Sequence, residues 1–150
     1  MKEIYDYALL KEPMILGISV IDNQHANLKR MINNLYFACL NNSKTANHRF
    51  NQAVRKTIEY MRQHFSTEEK LMLISDFHGY LNHKNEHGDF LREVLNYSRQ
   101  MQDGQVFSPQ KFIRFLSEWI NSHIEDSDNA FADFFLNMQK HDKLRMVLAG

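Results

Sequence analysis

Tyr80-Leu81-Asn82-His83-Lys84-Asn85-Glu86-His87-Gly88-Asp89-Phe90 decides how the chain folds. Tyr80, His83, His87 and Phe90 are spaced 3, 4 and 3, and Val94, Tyr97 and Met101 continue the alternation. That is the inward face of a long helix packed in a bundle. Two histidines four residues apart lie ~40° apart around such a helix, so both rings leave it on one side. The pair can hold one metal ion, but two solvated histidines share the same spacing. Its meaning depends on matching groups in matching phase elsewhere.

Working outward, three more helices show the same face. Ile18, Ile21, His25, Leu28, Ile32, Leu35 and Cys39 follow a 3,4 alternation, with His25 in the middle. Ser19 with Asp22 has the shape of a capping box at its start. Asn41-Asn42-Ser43 is a polar break, after which a second helix is predicted from about Asn47 to Leu73. Its inward set is Val54, Thr57, Met61, His64, Glu68 and Leu71, widened by Ile58, Phe65 and Met72. Ser75 to Gly79 separates it from the helix of the opening stretch, which Asp103-Gly104 ends. Ser108-Pro109 opens the fourth helix, serine as N-cap and proline at the first helical position.

The fourth helix begins with Phe112, Leu116, Trp119 and His123, and then its phase slips. Continuing the pattern gives Asp126 or Ser127, Ala130, Phe134 and Asn137, a poor apolar face. One extra residue after His123 gives Asp128, Phe131, Phe135 and Met138, a better one. The slip predicts a π-helical widening between His123 and Asp128, a feature frequent at functional sites. The whole reads as an all-α protein, an antiparallel up-down-up-down four-helix bundle. Residues 1–16 are expected as an N-terminal arm containing Pro13, 17–138 as the bundle, and 139–150 as a tail with a frayed helix end.

Composition narrows the function. The chain has 150 residues, enough for one domain with a real core. Lys+Arg and Asp+Glu are 18 each, which gives no electrostatic case for nucleic acid or an anionic membrane surface. No apolar stretch is long enough to span a bilayer. The single cysteine, Cys39, sits in core phase, is expected to be packed, and suits a reducing compartment. With no secretory h-region at the N-terminus, the expected location is cytoplasmic.

Every helix places ligand-type residues in core phase: His25; His64 and Glu68; His83 and His87; His123 with Asp126 or Asp128. Of the eight histidines, His48, His78 and His141 fall outside this set. Burying such groups without partners costs roughly 1–3 kcal/mol each. Seven of them together would exceed the ~5–15 kcal/mol stability of a whole domain. They need one another or a metal. Seven ligands are too many for one tetrahedral zinc. If Glu68, one aspartate and a solvent oxygen bridge two ions, the five histidines split three and two. One ion is then six-coordinate, and the other keeps an open position. Octahedral nitrogen and oxygen sites with an open position suit iron.

Four stretches resemble the hemerythrin family: Ile21-Asp22-Asn23-Gln24-His25, His64-Phe65-Ser66-Thr67-Glu68-Glu69, His83-Lys84-Asn85-Glu86-His87 and Trp119 through Asp128. They come in the family's order, one per helix, and cover about residues 17–137. The resemblance implies a non-heme di-iron centre, two iron ions joined by an oxo or hydroxo bridge. His83, His87 and His123 would hold one iron, and His25 and His64 the other. Glu68 and Asp128 would bridge, which settles the aspartate that helix geometry alone would have assigned to Asp126. Dioxygen would bind at the open iron, in a pocket whose positions match Leu28, Phe65, Trp119, Ile120 and Ile124.

The expected function is therefore reversible dioxygen binding for carriage, storage or delivery, without catalysis. A histidine-rich sphere donates less charge to iron than a carboxylate-rich one, which favours holding dioxygen over splitting it. The Glu-x-x-His pairs of ferritin-like di-iron enzymes do not occur in this chain, which weighs against an oxidase or peroxidase. The alternative is a sensor of dioxygen, NO or redox state that acts through a separate protein partner.

Overall fold

The structure, a computed structural model, describes residues 14–39, 44–102 and 108–149. Pro13 with the arm before it, the break at 41–43 and Asp103-Gly104 lie outside the described residues. Helix α1 spans Ser19–Cys39, α2 Lys44–Ile74, α3 Tyr80–Gln102, α4 Pro109–His123 and α5 Asn129–Ala149. Between α4 and α5, Ile124–Asp128 is π-helical, the widening that the phase slip predicts. Ile124 and Asn129 at its two ends both keep right-handed helical dihedrals, so α4, the π segment and α5 form one continuous rod. Four rods in an antiparallel bundle result, with no strand among the described residues.

Most helix ends follow from local chemistry, with three departures. Ser108 caps α4 as expected: its hydroxyl accepts the N–H of Lys111, and Pro109 follows. At the start of α1, Ser19 is not the cap. The carboxylate of Asp22 instead accepts the N–H groups of Leu16 and Gly17. Reaching two N–H groups outside the helix satisfies more of the incoming chain than a single return bond would. Gly17, at φ +98°, makes the bend that this wrap needs. Helix α2 ends in a Schellman motif, with Phe77 N–H bonded to Met72 C=O and Asp76 N–H to Leu73 C=O. Asp76 occupies the left-handed position at φ 57°, where glycine is usual. Helix α2 starts one turn before Asn47, and α5 stays helical to Ala149 with Met146, Val147 and Leu148 exposed.

The core has two apolar clusters. The larger is built on Leu28, Ile32, Leu35, Val54, Met61, Phe65, Phe90, Val94, Phe112, Leu116, Ile120 and Ile124. The smaller joins Leu16, Ile18, Ile21, Met72, Phe131 and Ala132. Along α1, His25 falls between Ile21 of the smaller cluster and Leu28 of the larger. Along α2, His64 and Glu68 fall between Met61 of the larger cluster and Met72 of the smaller. The polar side chains thus form a layer held between two dry ones, and the bundle brings all four rods to it. Cys39 is half-buried, its thiol donating to the Tyr36 carbonyl.

Candidate metal centre

His25, His64, Glu68, His83, His87, His123 and Asp128 all lie in this layer, each at most 6% exposed. Asp126, which a regular α-helix would present beside His123, is exposed. On a regular helix Asp128 would sit ~140° from His123, facing away from the layer. The π segment removes that offset, and Asp128 is buried at 1% exposure. His48, His78 and His141 are exposed, as their phase predicts.

The ring Nε2 atoms converge. His87 Nε2 and His123 Nε2 are 3.0 Å apart. Asp128 reaches both halves of the layer: Oδ2 lies 3.0 Å from His25 Nε2, and Oδ1 lies 3.0 Å from His83 Nε2 and 3.1 Å from His123 Nε2. Glu68 does the same, with Oε1 2.9 Å from His64 Nε2 and 3.7 Å from His87 Nε2, and Oε2 3.7 Å from His83 Nε2. Two ligand groups follow, Glu68-His83-His87-His123-Asp128 and His25-His64-Glu68-Asp128, and they share both carboxylates. Within each group the candidate ligand atoms lie within 4.8 Å of one another.

These separations fit metal ions. Ligands about 2.1 Å from an ion and at right angles are ~3.0 Å apart, which several of these pairs match. Hydrogen bonding accounts for the His25–Asp128 and His87–His123 contacts but not for the rest. Both oxygens of Glu68, Oδ1 of Asp128 and Nε2 of His83 are buried without a hydrogen-bond partner. Buried polar atoms are rarely left so, and each orphan costs ~1–3 kcal/mol. A cation held by these groups would satisfy them.

Titration in the metal-free protein points the same way. Burial, reinforced by the neighbouring imidazoles, pushes His64 down to about 3 and His87 down to about 2. Both rings are therefore neutral at physiological pH and free to ligate. Burial, then the Asp128 charge and the contact with it, pushes Glu68 well above the usual carboxylate range. Burial alone would raise Asp128 too, but the close approach of Glu68, His123, His25 and His83 overrides it and holds Asp128 well below. Two adjacent carboxyls pushed in opposite directions beside neutral imidazoles form a donor set that a metal cation would suit.

Residues 16–135 match the Hemerythrin HHE cation binding domain. The chain belongs to the hemerythrin family. A bacteriohemerythrin of Stenotrophomonas maltophilia is 30% identical over 123 residues, 82% of this chain and 78% of that protein. A bacteriohemerythrin of Pseudomonas aeruginosa is 32% identical over 117 residues, 78% of this chain and 74% of that one. One from Clostridium acetobutylicum is 27% identical and is covered over 97% of its length. A crystal structure of a hemerythrin mutant superposes with a TM-score of 0.76 at 21% identity, over 85% of this chain and 98% of that one. The hemerythrin fold and a metal-binding role are thus established for the chain. Among its described residues, no helix is long and apolar enough to cross a membrane.

Of the residues matched to a ligand pocket, Leu28, Phe65, Ile120 and Ile124 are buried in the larger cluster, and Trp119 packs against it half-buried. Phe65 stacks flat on His87, with ring centroids 3.8 Å apart and planes 9° apart. Trp119 stacks on His123 at 4.3 Å and 15°. Sequence phase gave no hint of a further set of residues. His64 Nδ1 meets Gln24 Oε1 at 2.7 Å, His87 Nδ1 meets Glu69 Oε2 at 2.9 Å, and His123 Nδ1 meets Glu86 Oε2 at 3.1 Å. Each of these partners is the chain neighbour of a ligand, about 100° off the inward face, so its aim depends on the adjacent helix.

Proposed function

We propose that this hemerythrin-family protein binds dioxygen reversibly at a non-heme di-iron centre, as a carrier, store or delivery protein and not as an enzyme. His83, His87 and His123 would hold one iron, His25 and His64 the other, and Glu68 and Asp128 both. The bound irons would supply the two electrons that dioxygen takes up. The chain's own part is to bind, orient and keep dry. Glu68 and Asp128 each reach both ligand groups, which supports a pair of ions at fixed spacing. Leu28, Phe65, Ile120 and Ile124, buried in the larger apolar cluster, support dry surroundings that would suit a small apolar gas better than water or anions. The observation that carries the reading is the ligand balance: five buried imidazoles to two buried carboxylates. Such a set donates little charge and favours holding dioxygen over cleaving it.

The test is an oxygenation cycle. Iron-loaded protein should contain two irons per chain and show a visible charge-transfer band in oxygen that disappears under argon and returns. A band that decays within seconds to the diferric spectrum, with release or turnover of peroxide, would overturn the carrier reading in favour of oxidase chemistry.

A further inference from the structure

The histidine partners in the second layer form a relay around the bundle. Gln24 of α1 supports His64 of α2, Glu69 of α2 supports His87 of α3, and Glu86 of α3 supports His123 of α4. The relay does not close: His25 Nδ1 is buried without a hydrogen-bond partner. As a result, the two halves of the centre are unlike. In the three-histidine half, two rings are backed by carboxylates, and Ser127 Oγ also donates to Glu86 Oε2 at 2.6 Å, fixing that carboxylate. In the two-histidine half, one ring is backed by a neutral amide and the other by nothing. The amide's direction is set, since Thr67 Oγ1 donates to Gln63 C=O and so accepts from Gln24 Nε2.

A carboxylate on the far nitrogen fixes the tautomer that leaves Nε2 bare for the metal, and it makes that nitrogen more basic. An amide fixes the tautomer but adds no charge. The aromatic clamps add to the contrast. His87 and His123 are each held on one face by Phe65 or Trp119, whereas His25 and His64 meet each other edge to face at 4.8 Å and 70°.

We propose that Glu69 and Glu86 are positioning residues that make the His83-His87-His123 half of the centre the first to take up metal and the last to release it. Glu69 is the stronger of the two: its side chain is 21% exposed against 48% for Glu86, so water screens its charge less. The two-histidine half is the weaker binder, and exchange or loss of metal begins there. The inference rests on the two-ion reading but not on dioxygen binding.

The experiment is an anaerobic titration of metal-free protein with ferrous iron against a competing chelator. Wild-type protein should load in two separable steps. Glu69→Gln should weaken the tighter step ~10–100-fold, the usual cost of losing such a partner, with Glu86→Gln smaller and the weaker step nearly unmoved in both. Gln24→Leu should do the reverse. In zinc-loaded protein, the His87 Nδ1–H proton resonance should move upfield in Glu69→Gln, a change that a merely structural role would not produce. Equal steps in the wild type would overturn the proposal, as would equal weakening of both steps by Glu69→Gln. Uptake of a single ion by wild-type protein would refute the two-ion reading itself, and the proposal with it.

Discussion

Replacing Glu68 by methionine should move the metal-free and the iron-loaded protein in opposite directions. Glu68 is fully buried, and in the metal-free state its neighbours include the Asp128 carboxylate and the rings of His64 and His87, which burial keeps neutral. Methionine has a similar volume and bends to fill gaps. Removing a buried carboxyl whose two oxygens have no hydrogen-bond partner, in favour of an apolar group of similar volume, recovers about 1–3 kcal/mol. At about 2–4 °C per kcal/mol for a chain of this size, the metal-free variant should melt roughly 2–12 °C above metal-free wild type. The sign with pH is fixed as well. A carboxyl whose folded-state value is raised contributes stability below its unfolded value of about 4.5, and that contribution is lost as pH rises. The variant's advantage should therefore be smallest near pH 4.5 and grow toward neutrality. With iron the order reverses. Glu68 belongs to both ligand groups, so its loss weakens both ions. An ion present at a thousandfold excess over its Kd contributes about 4 kcal/mol of stability, which the variant forfeits. Circular-dichroism melts of chelator-treated and iron-loaded protein, with iron counted by elemental analysis, measure both arms. A metal-free variant that melts below metal-free wild type would refute the energetic argument. Retention of two irons would refute the bridging role.

Three further outcomes are expected. Asp128→Ala should lose most of its iron while Asp126→Ala keeps two per chain; equal iron in the two variants, by elemental analysis, would show that the π segment does not select the ligand. Asp76→Gly relieves a left-handed residue and should raise the melting temperature by a few degrees, for a gain of about 0.5–1 kcal/mol; a drop would mean that the Asp76 side chain has a role beyond its backbone shape. Metal-free protein should lose stability on acidification below about pH 6.5, because His64 and His87 stay neutral in the fold while their unfolded counterparts take up protons. Two such histidines outweigh the opposite trend of Glu68, so urea midpoints should fall between pH 6.5 and 4.5; a flat or rising profile would contradict the depressed values.

The sequence by itself determined the four inward faces and which polar residues share them. That is because a helix has a fixed period, so spacing along the chain becomes position on a face without reference to anything else. The seven ligand-type residues were legible for this reason, and even the break in period after His123 could be read, since the apolar residues Phe131, Phe135 and Met138 regain the core only if one residue is added. The resemblance of four short stretches then chose Asp128 over Asp126, and the structure buries Asp128 in the polar layer and leaves Asp126 exposed. Other features depended on neighbours in space. Asp22 wraps the incoming chain rather than closing a capping box with Ser19, because the left-handed bend at Gly17 presents two N–H groups to one carboxylate. Helical phase does not distinguish Phe65 and Trp119 from ordinary core, and the resemblance matches them only to a pocket, yet packing lays them on His87 and His123. Gln24, Glu69 and Glu86 lie off the inward face of their own helices and acquire their partners only when the next helix is docked. Periodicity is a property of one helix, and so it reports the candidate ligands; the support behind them is a property of pairs of helices, and only the tertiary structure decides it.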